Sequence, residues 1–173
     1  MPPKEHPSLR LEALSLEHLP GVMSWVNDRE VMQYFANRQT PISEDEERAY
    51  LVKLLGSSTD RAFSIFDGAR YLGQCSLNQI YWPARNARLF IALRSDCQGE
   101  GYGPAALKAL LALAWGTIDL HKVWLIVRED NRSAQAMYLK LGFSFEGVLR
   151  DEYFVLGRYH DMVRMAIVRP LGA

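Results

Sequence analysis

The feature that most restricts the fold is an apolar run, Val123-Trp124-Leu125-Ile126-Val127, with a helical pattern on each side of it. A strand this continuously apolar is typical of the middle of a sheet, where both of its faces are covered. Together with the order of the other elements, the run predicts an α/β (α+β) chain. Its sheet is mixed and carries helices on both faces.

The remaining hydrophobic patterns predict the other strands and helices. Period-two alternation predicts strands at Leu9 to Ala13, Ala62 to Phe66, Tyr71 to Ile80, Ala87 to Leu93, Ser144 to Leu156 and Tyr159 to Val168. Helical spacing predicts helices from Ser15 to about Asn27, from Val31 to Phe35, from Ser43 to Leu55, from Pro104 to about Thr117 and from Asn131 to Leu141. Ser43 and Glu46 are placed to form a capping box at the start of the third of these helices.

Composition excludes several classes of protein. The 173 residues carry Lys+Arg 20 and Asp+Glu 20, which predicts one domain, 1-173, without the basic excess of a nucleic-acid-binding chain. The longest apolar run is far shorter than the ~20 residues that span a bilayer, so no membrane partner is expected. Cys75 and Cys97 lack the spacing of a zinc or redox motif and predict buried free thiols. A cytoplasmic location is the expectation.

A glycine cluster, Gln98-Gly99-Glu100-Gly101-Tyr102-Gly103, stands between a predicted strand and a predicted helix, with Pro104 at the first helical position. Unpaired N–H groups at a helix start, with the positive end of the helix dipole, bind phosphates. Pro104 occupies the place of the last glycine in the dinucleotide fingerprint, and no Gly-Lys-Ser/Thr follows. Taken alone, the cluster is equally compatible with a plain tight turn.

A second motif is the helical segment from Asn131 to Phe143. Asn131, Ala134 and Tyr138 are three and four residues apart, so they share one helix face. Taken singly, Asn131 is equally well explained as a helix cap, and Tyr138 as a core residue.

Together, the glycine cluster and the Asn131 to Phe143 helix resemble the Gcn5-related N-acetyltransferase superfamily. The resemblance covers essentially the whole chain in element order and is strongest from Ala87 to Val168. It is to the branch that includes ribosomal-protein Nα-acetyltransferases, spermidine acetyltransferases and some amino-sugar acetyltransferases. The segments from Trp25 to Val31 and from Gly157 to Met165 are also similar to that branch.

The resemblance implies the acyl-CoA N-acyltransferase fold: a mostly antiparallel sheet in which one parallel pair of strands splays apart. It implies acetyl-CoA as acetyl donor, with pantetheine between the splayed strands and pyrophosphate at the glycine cluster. No metal is implied. The residues implied to bind acetyl-CoA are Ile91, Ala92, Leu93, Gln98, Gly99, Glu100, Gly101, Tyr102, Gly103, Asn131 and Ser133.

The implied reaction is direct transfer of acetyl to a primary amine in a ternary complex. Tyr138 stands where the superfamily has its general acid, and a backbone N–H at or near Leu93 would bind the developing oxyanion. Some relatives have a glutamate base where this chain has Arg88, which cannot accept a proton. The remaining candidate bases are Glu30, Glu129, Asp151, Glu152, His160 and a chain of waters.

The residues expected at the acceptor groove are Glu30, Tyr34, Trp82 and Arg88. If Arg88 points into the groove, it repels polyamines and attracts a carboxylate or phosphate. If it lies on the outer face, nothing follows for the substrate. Strand alternation does not settle which, because a bulge commonly interrupts this strand in the superfamily.

Two other functions stay open at this point: a non-catalytic acyl-CoA-binding regulator and, with less support, a nucleotide oxidoreductase. The acceptor is a small-molecule or peptide amine. It is a nucleotide-linked amino sugar, a polyamine, a protein N-terminus or an antibiotic. A homodimer is compatible with the family resemblance.

Overall fold

The structure is a computed structural model and describes residues 6–35 and 40–172. Its centre is a seven-stranded sheet in the order β1-β2-β3-β4-β5-β7-β6. Neighbouring strands are antiparallel except β4 and β5, which are parallel. The strands are β1 Leu9–Ala13, β2 Arg61–Asp67, β3 Arg70–Tyr81, β4 Asn86–Leu93, β5 Lys122–Arg128, β6 Ser144–Val155 and β7 Arg158–Val168. The predicted mixed, mostly antiparallel sheet is confirmed.

Within residues 6–35 and 40–172, five α-helices lie against this sheet. They are α1 Leu19–Met23, α2 Arg29–Met32, α3 Glu44–Leu55, α4 Tyr102–Gly116 and α5 Arg132–Lys140. The capping box of α3 is confirmed, since the Glu46 N–H donates to Ser43 Oγ at 3.2 Å and the Ser43 N–H donates to Glu46 Oε2 at 2.9 Å. The acidic first turn of α3 faces the positive end of its own helix dipole.

The sheet separates two hydrophobic cores. Helix α4 packs on one face, where Leu107 and Leu110 meet the inward side chains of the strands, including Leu89 and Leu125. Helices α1 to α3 cover part of the other face with a smaller core around Trp25 and Leu51. Cys75 and Cys97 are buried and unpaired, as predicted.

Strand β5 departs from the prediction that both of its faces are buried. Val123, Leu125 and Val127 are buried against the α4 core, but the alternating residues between them are only half-buried. The reason is that β4 pairs with β5 only from Asn86–Lys122 to Arg88–Trp124 and then diverges from it. The second face of β5 therefore lies beside an opening instead of a packed layer.

The backbone corrects one local prediction and answers one question that the sequence left open. Helix α4 begins at Tyr102 with Gly101 as its N-cap, so Pro104 is its third residue and not its first. The bulge lies in β3, where the pairing shifts between Asn78 and Tyr81 and Gln79 has φ 53°, and not in β4. Strand β4 consequently alternates regularly, and Arg88, Phe90 and Ala92 share one face.

Candidate active site

The divergence of β4 from β5 opens a cavity of about 460 Å³, here called the splay cavity and bounded by Arg88, Leu93, Gly101 and Tyr138. Its wall includes Arg88 and Phe90 from one face of β4 and Leu89 and Ile91 from the other. Both faces contribute because no strand is hydrogen-bonded to this side of β4 beyond Arg88. Backbone groups of the two strands are accordingly accessible from the cavity.

The glycine cluster forms one end of the splay cavity. Gly99 and Gly101 have φ values of 75° and 89°, in the left-handed region that non-glycine residues rarely adopt. A Cβ on Gly103 would lie 3.3 Å from the Sδ of Met137, so glycine allows α4 and α5 to approach closely here. The first N–H groups of α4 have no partner within the helix, and they begin at this point.

The side chains of the glycine cluster divide into two sets. Gln98 lines the cavity, and its Nε2 donates to the Leu93 carbonyl at 3.1 Å. Tyr102 points away, because its hydroxyl donates to Asp67 Oδ2 at 2.7 Å, and the side chain of Glu100 does not line the cavity. The structure therefore does not bring the predicted Glu100 and Tyr102 side chains to the cavity.

Helix α5 supplies Tyr138. The Asn131 side chain caps the helix by accepting from the Ala134 N–H at 3.2 Å, which fixes where the helix starts and thus which face meets the cavity. Tyr138 is buried at the cavity wall, and burial raises the pKa of its hydroxyl to about 12. Among residues 6–35 and 40–172, none forms a hydrogen bond with that hydroxyl.

Arg88 points into the splay cavity. Its Nη2 donates to the Tyr153 hydroxyl at 2.8 Å, and its guanidinium carbon lies 5.9 Å from the centre of the Trp124 ring. Both Arg88 and Tyr153 line the cavity. The structure thus places a cation in the wall of the cavity.

Two further charged residues lie on the wall. Arg128 is held by Asp130 at 2.6 Å and lies 4.7 Å from the centre of the Tyr34 ring. Glu30, near the start of α2, is exposed and also lines the cavity. Arg128 is therefore neutralised within the protein.

The structure brings most of the predicted site residues to the splay cavity. They are Glu30, Tyr34, Arg88, Ile91, Ala92, Leu93, Gln98, Gly99, Gly101, Gly103, Asn131, Ser133 and Tyr138. Trp82 lies elsewhere: its side chain is 41% exposed and its Nε1 donates to the Ser58 carbonyl at 3.3 Å. Among the predicted candidate bases, Glu129, Asp151, Glu152 and His160 do not line the cavity, whereas Glu30 does.

Several wall residues were not predicted, among them Arg128, Tyr153 and Met162. Arg128 ends the apolar run of β5, so its position at a strand end was a usable signal. Tyr153 lies in β6, far along the chain from Arg88, and nothing in its local pattern indicates that the two meet.

A second cavity of about 340 Å³ lies on the α1 to α3 side of the sheet, bounded by Trp25, Glu47, Gln74, Asn78 and Phe90. Glu47 is 5% exposed, and burial raises the pKa of its carboxyl. Gln74 Oε1 and Asn78 Oδ1 are buried and have no hydrogen-bond partner in the described part of the chain. Phe90 lines both cavities and separates them.

Two searches of the described residues gave negative results. No helix in 6–35 and 40–172 has the length and apolar character needed to cross a membrane. No group of three or more His, Cys, Asp or Glu side chains within those ranges is arranged to hold a metal ion.

Comparison with known proteins places this site in a family. Residues 8–144 match the family described as "Acetyltransferase (GNAT) domain". The chain is 31% identical over 166 residues to spermidine N(1)-acetyltransferase of Escherichia coli strain K12, covering 95% of this chain and 88% of that protein. It is 26% identical over 160 residues to ribosomal-protein-serine acetyltransferase of the same strain, covering 90% and 89%.

A solved structure agrees with these matches. The crystal structure of spermidine N-acetyltransferase from Vibrio cholerae in complex with CoA and spermine has a TM-score of 0.88 and 30% identity to this chain. It covers 93% of this chain and 95% of its own. The sequence resemblance and the predicted acyl-CoA N-acyltransferase fold are therefore confirmed, and the chain belongs to the GNAT family of N-acetyltransferases.

Proposed function

We propose that this chain transfers the acetyl group of acetyl-CoA directly to the primary amine of a small molecule, with Tyr138 as the general acid. The observation that carries the proposal is the Tyr138 hydroxyl. It is buried at the wall of the splay cavity, is without a partner among the described residues, and has a pKa of about 12. Such a group remains protonated near neutral pH and can donate into the cavity.

The residues around the cavity fit acetyl-CoA. Free N–H groups at the start of α4, with the positive end of its dipole, suit the pyrophosphate, and Gly99 and Gly101 allow close approach to the backbone. The open edge of β4 from Ile91 to Leu93 suits the amides of pantetheine. The related Vibrio cholerae enzyme was solved with CoA, which supports the same donor here.

Acetyl-CoA supplies an activated thioester, whose carbon–sulfur bond breaks as the carbon–nitrogen bond to the acceptor forms. Tyr138 gives its proton to the departing sulfur and regains one from solvent before the next turnover. An N–H at the end of β4 donates to the oxygen that gains negative charge. The acceptor amine loses one proton. Arg88 cannot take that proton, so it leaves through Glu30 or through water.

The acceptor enters from the side of the cavity that bears Glu30, Tyr34 and Arg88. Two named relatives acetylate spermidine, which makes polyamines one class of acceptor to test. Gln98 and the glycines lie by the Leu93 end of β4, and Arg88 lies five residues earlier on that strand, so donor and acceptor have separate places in the cavity. This arrangement supports direct transfer over an acetylated enzyme.

The test is to incubate the purified chain with acetyl-CoA and a panel of primary amines, following release of CoA thiol and the acetylated amine by mass spectrometry. We expect equal amounts of the two products and intersecting double-reciprocal plots. Parallel plots would contradict direct transfer. Tight binding of acetyl-CoA without transfer to any amine would instead support the acyl-CoA-binding regulator.

Glu30→Gln distinguishes the two routes for the amine proton. If Glu30 is the base, the alkaline-rising limb of the kcat/KM profile is lost in this variant. A retained limb supports the water route.

A further inference from the structure

We infer that the natural acceptor is a primary amine that also carries a carboxylate or phosphate group, and that Arg88 binds this anionic group in the splay cavity. This inference rests on the proposed acetyl transfer, because it concerns which amine is used. It makes Arg88 a determinant of acceptor specificity.

The first support is the position of Arg88. It lies on β4 where β4 and β5 are still paired, opposite Trp124, and its side chain lines the cavity. The end of β4 at Leu93 is five residues further along the same strand, or about 16 Å at the usual rise per residue. The cavity wall includes β4 residues from Arg88 to Leu93, which gives a short acceptor a place between Arg88 and the end of the strand.

The second support is that Arg88 has no counter-ion within the described residues. Its one side-chain hydrogen bond there is to the neutral Tyr153 hydroxyl, and its guanidinium carbon lies 5.9 Å from the centre of the Trp124 ring. A guanidinium has five N–H donors in a planar fork, so most of the donors of Arg88 are available.

Several other arginines are paired with carboxylates, whereas among the described residues the exposed Arg29, Arg132, Arg150 and Arg158 and the half-buried Arg61 are not. Asp96 binds Arg94 at 2.8 Å, Asp130 binds Arg128 at 2.6 Å, and Asp119 binds both Arg85 and Arg169. The absence of a carboxylate beside Arg88 matters because a half-buried cation without a counter-ion lowers stability unless a ligand supplies the opposite charge. The fork geometry of arginine matches a carboxylate or a phosphate.

The same charge disfavours a polyamine. An acceptor with a second ammonium group would bring that group close to Arg88, and like charges at short range repel strongly where water is partly excluded. Glu30 is the one carboxylate among the described wall residues, and it is exposed. It does not form an ion pair with Arg88.

Arg164 provides a matched control. Its guanidinium carbon lies 4.1 Å from the centre of the same Trp124 ring, but it pairs with Glu146 at 3.3 Å and does not line the cavity. Arg164→Gln therefore removes an arginine of similar surroundings without altering the splay cavity.

The experiment measures kcat/KM of the wild-type chain for three four-carbon amines: γ-aminobutyrate, butylamine and putrescine. Aminopropyl phosphate and aminopropanol form a second pair, which tells a phosphate requirement from a carboxylate requirement. We expect the anionic member of at least one set to exceed its neutral counterpart by about tenfold or more, the ratio expected from one charge-assisted contact. Putrescine should be the poorest four-carbon acceptor.

Arg88→Gln should lower the anionic-to-neutral ratio by about tenfold, and Arg88→Glu should reverse the preference between γ-aminobutyrate and putrescine. Arg164→Gln should leave the ratio as in the wild type. A wild-type preference for putrescine or spermidine, or an unchanged ratio in Arg88→Gln, overturns the inference. If an Arg88 variant does not fold, the wild-type ratios alone test the inference about the acceptor. If the wild-type chain transfers acetyl to none of the amines, the proposed function itself is refuted.

Discussion

The two cavities that meet at Phe90 differ in how the sheet forms their walls. At the splay cavity, β4 is no longer paired with β5 beyond Arg88. Residues from both faces of β4 and its free backbone edge are therefore accessible. At the second cavity, β3 and β4 stay paired from Gly73–Leu93 to Asn78–Arg88. Only side chains from one face reach that cavity.

This difference determines what each cavity offers a ligand. A broken hydrogen-bond ladder supplies backbone donors and acceptors, which suit the repeated amides and the pyrophosphate of a coenzyme. An intact ladder supplies none, so the chemistry of the second cavity depends on Glu47, Gln74 and Asn78. Polar character in the first cavity is a property of the fold, whereas in the second it is a property of individual residues.

The largest effect is expected for Tyr138→Phe, which removes the proposed acid from the splay cavity. We expect kcat to fall by about tenfold to a thousandfold, the usual contribution of a general acid, with nearly normal affinity for acetyl-CoA. Steady-state kinetics and calorimetric titration of acetyl-CoA measure the two quantities. Unchanged kcat would remove Tyr138 from the mechanism.

The next effect concerns the boundary between the cavities. Phe90 is half-buried and contacts Trp25 and Phe35, with ring centres 6.4 Å and 5.1 Å apart. Phe90→Ala should lower the free energy of unfolding by about 2 kcal/mol, less than for a fully buried phenylalanine. Urea unfolding measures this change. Phe145→Ala, at a 61% exposed position, is the control, and an equal loss in both variants would show that Phe90 does not hold the boundary together.

The smallest effect is expected at the second cavity. Since burial raises the pKa of the Glu47 carboxyl, the folded chain favours its protonated form. The stability contributed by this group is complete below its unfolded-state pKa and is lost as the pH rises through the higher folded-state pKa. Glu47→Gln should therefore stabilise the chain at about pH 7.5, but not at about pH 4.

Thermal and urea unfolding at the two pH values measure the effect of Glu47→Gln. Glu44→Gln is the control from the same helical turn, because the Glu44 carboxylate is exposed and pairs with Arg48 at 3.1 Å. We expect this control to be neutral or slightly destabilising. A Glu47→Gln variant that is less stable than the wild type at the higher pH would show that the carboxylate has a favourable role.

Much of the site followed from local patterns in the sequence. The glycine cluster, the Asn131 cap and the spacing from Asn131 to Tyr138 depend on residues close together in the chain, and the structure brings them to one cavity. Two residues of the cluster, Glu100 and Tyr102, do not line the cavity as predicted. The Tyr102 hydroxyl donates to Asp67 instead. Trp82 was predicted at the acceptor groove from its position in the chain. In the structure its Nε1 donates to the Ser58 carbonyl, and it does not line the splay cavity.

The sequence by itself determined the order and type of the elements and the family, because hydrophobic period, caps and glycine positions act over a few residues. Only the tertiary structure decided where β4 leaves β5, which face of β4 bears Arg88, and that Tyr153 from β6 meets it. These outcomes depend on strand register and on contacts between residues distant in the chain, which no local pattern encodes. The charge that Arg88 brings to the cavity wall is one of them.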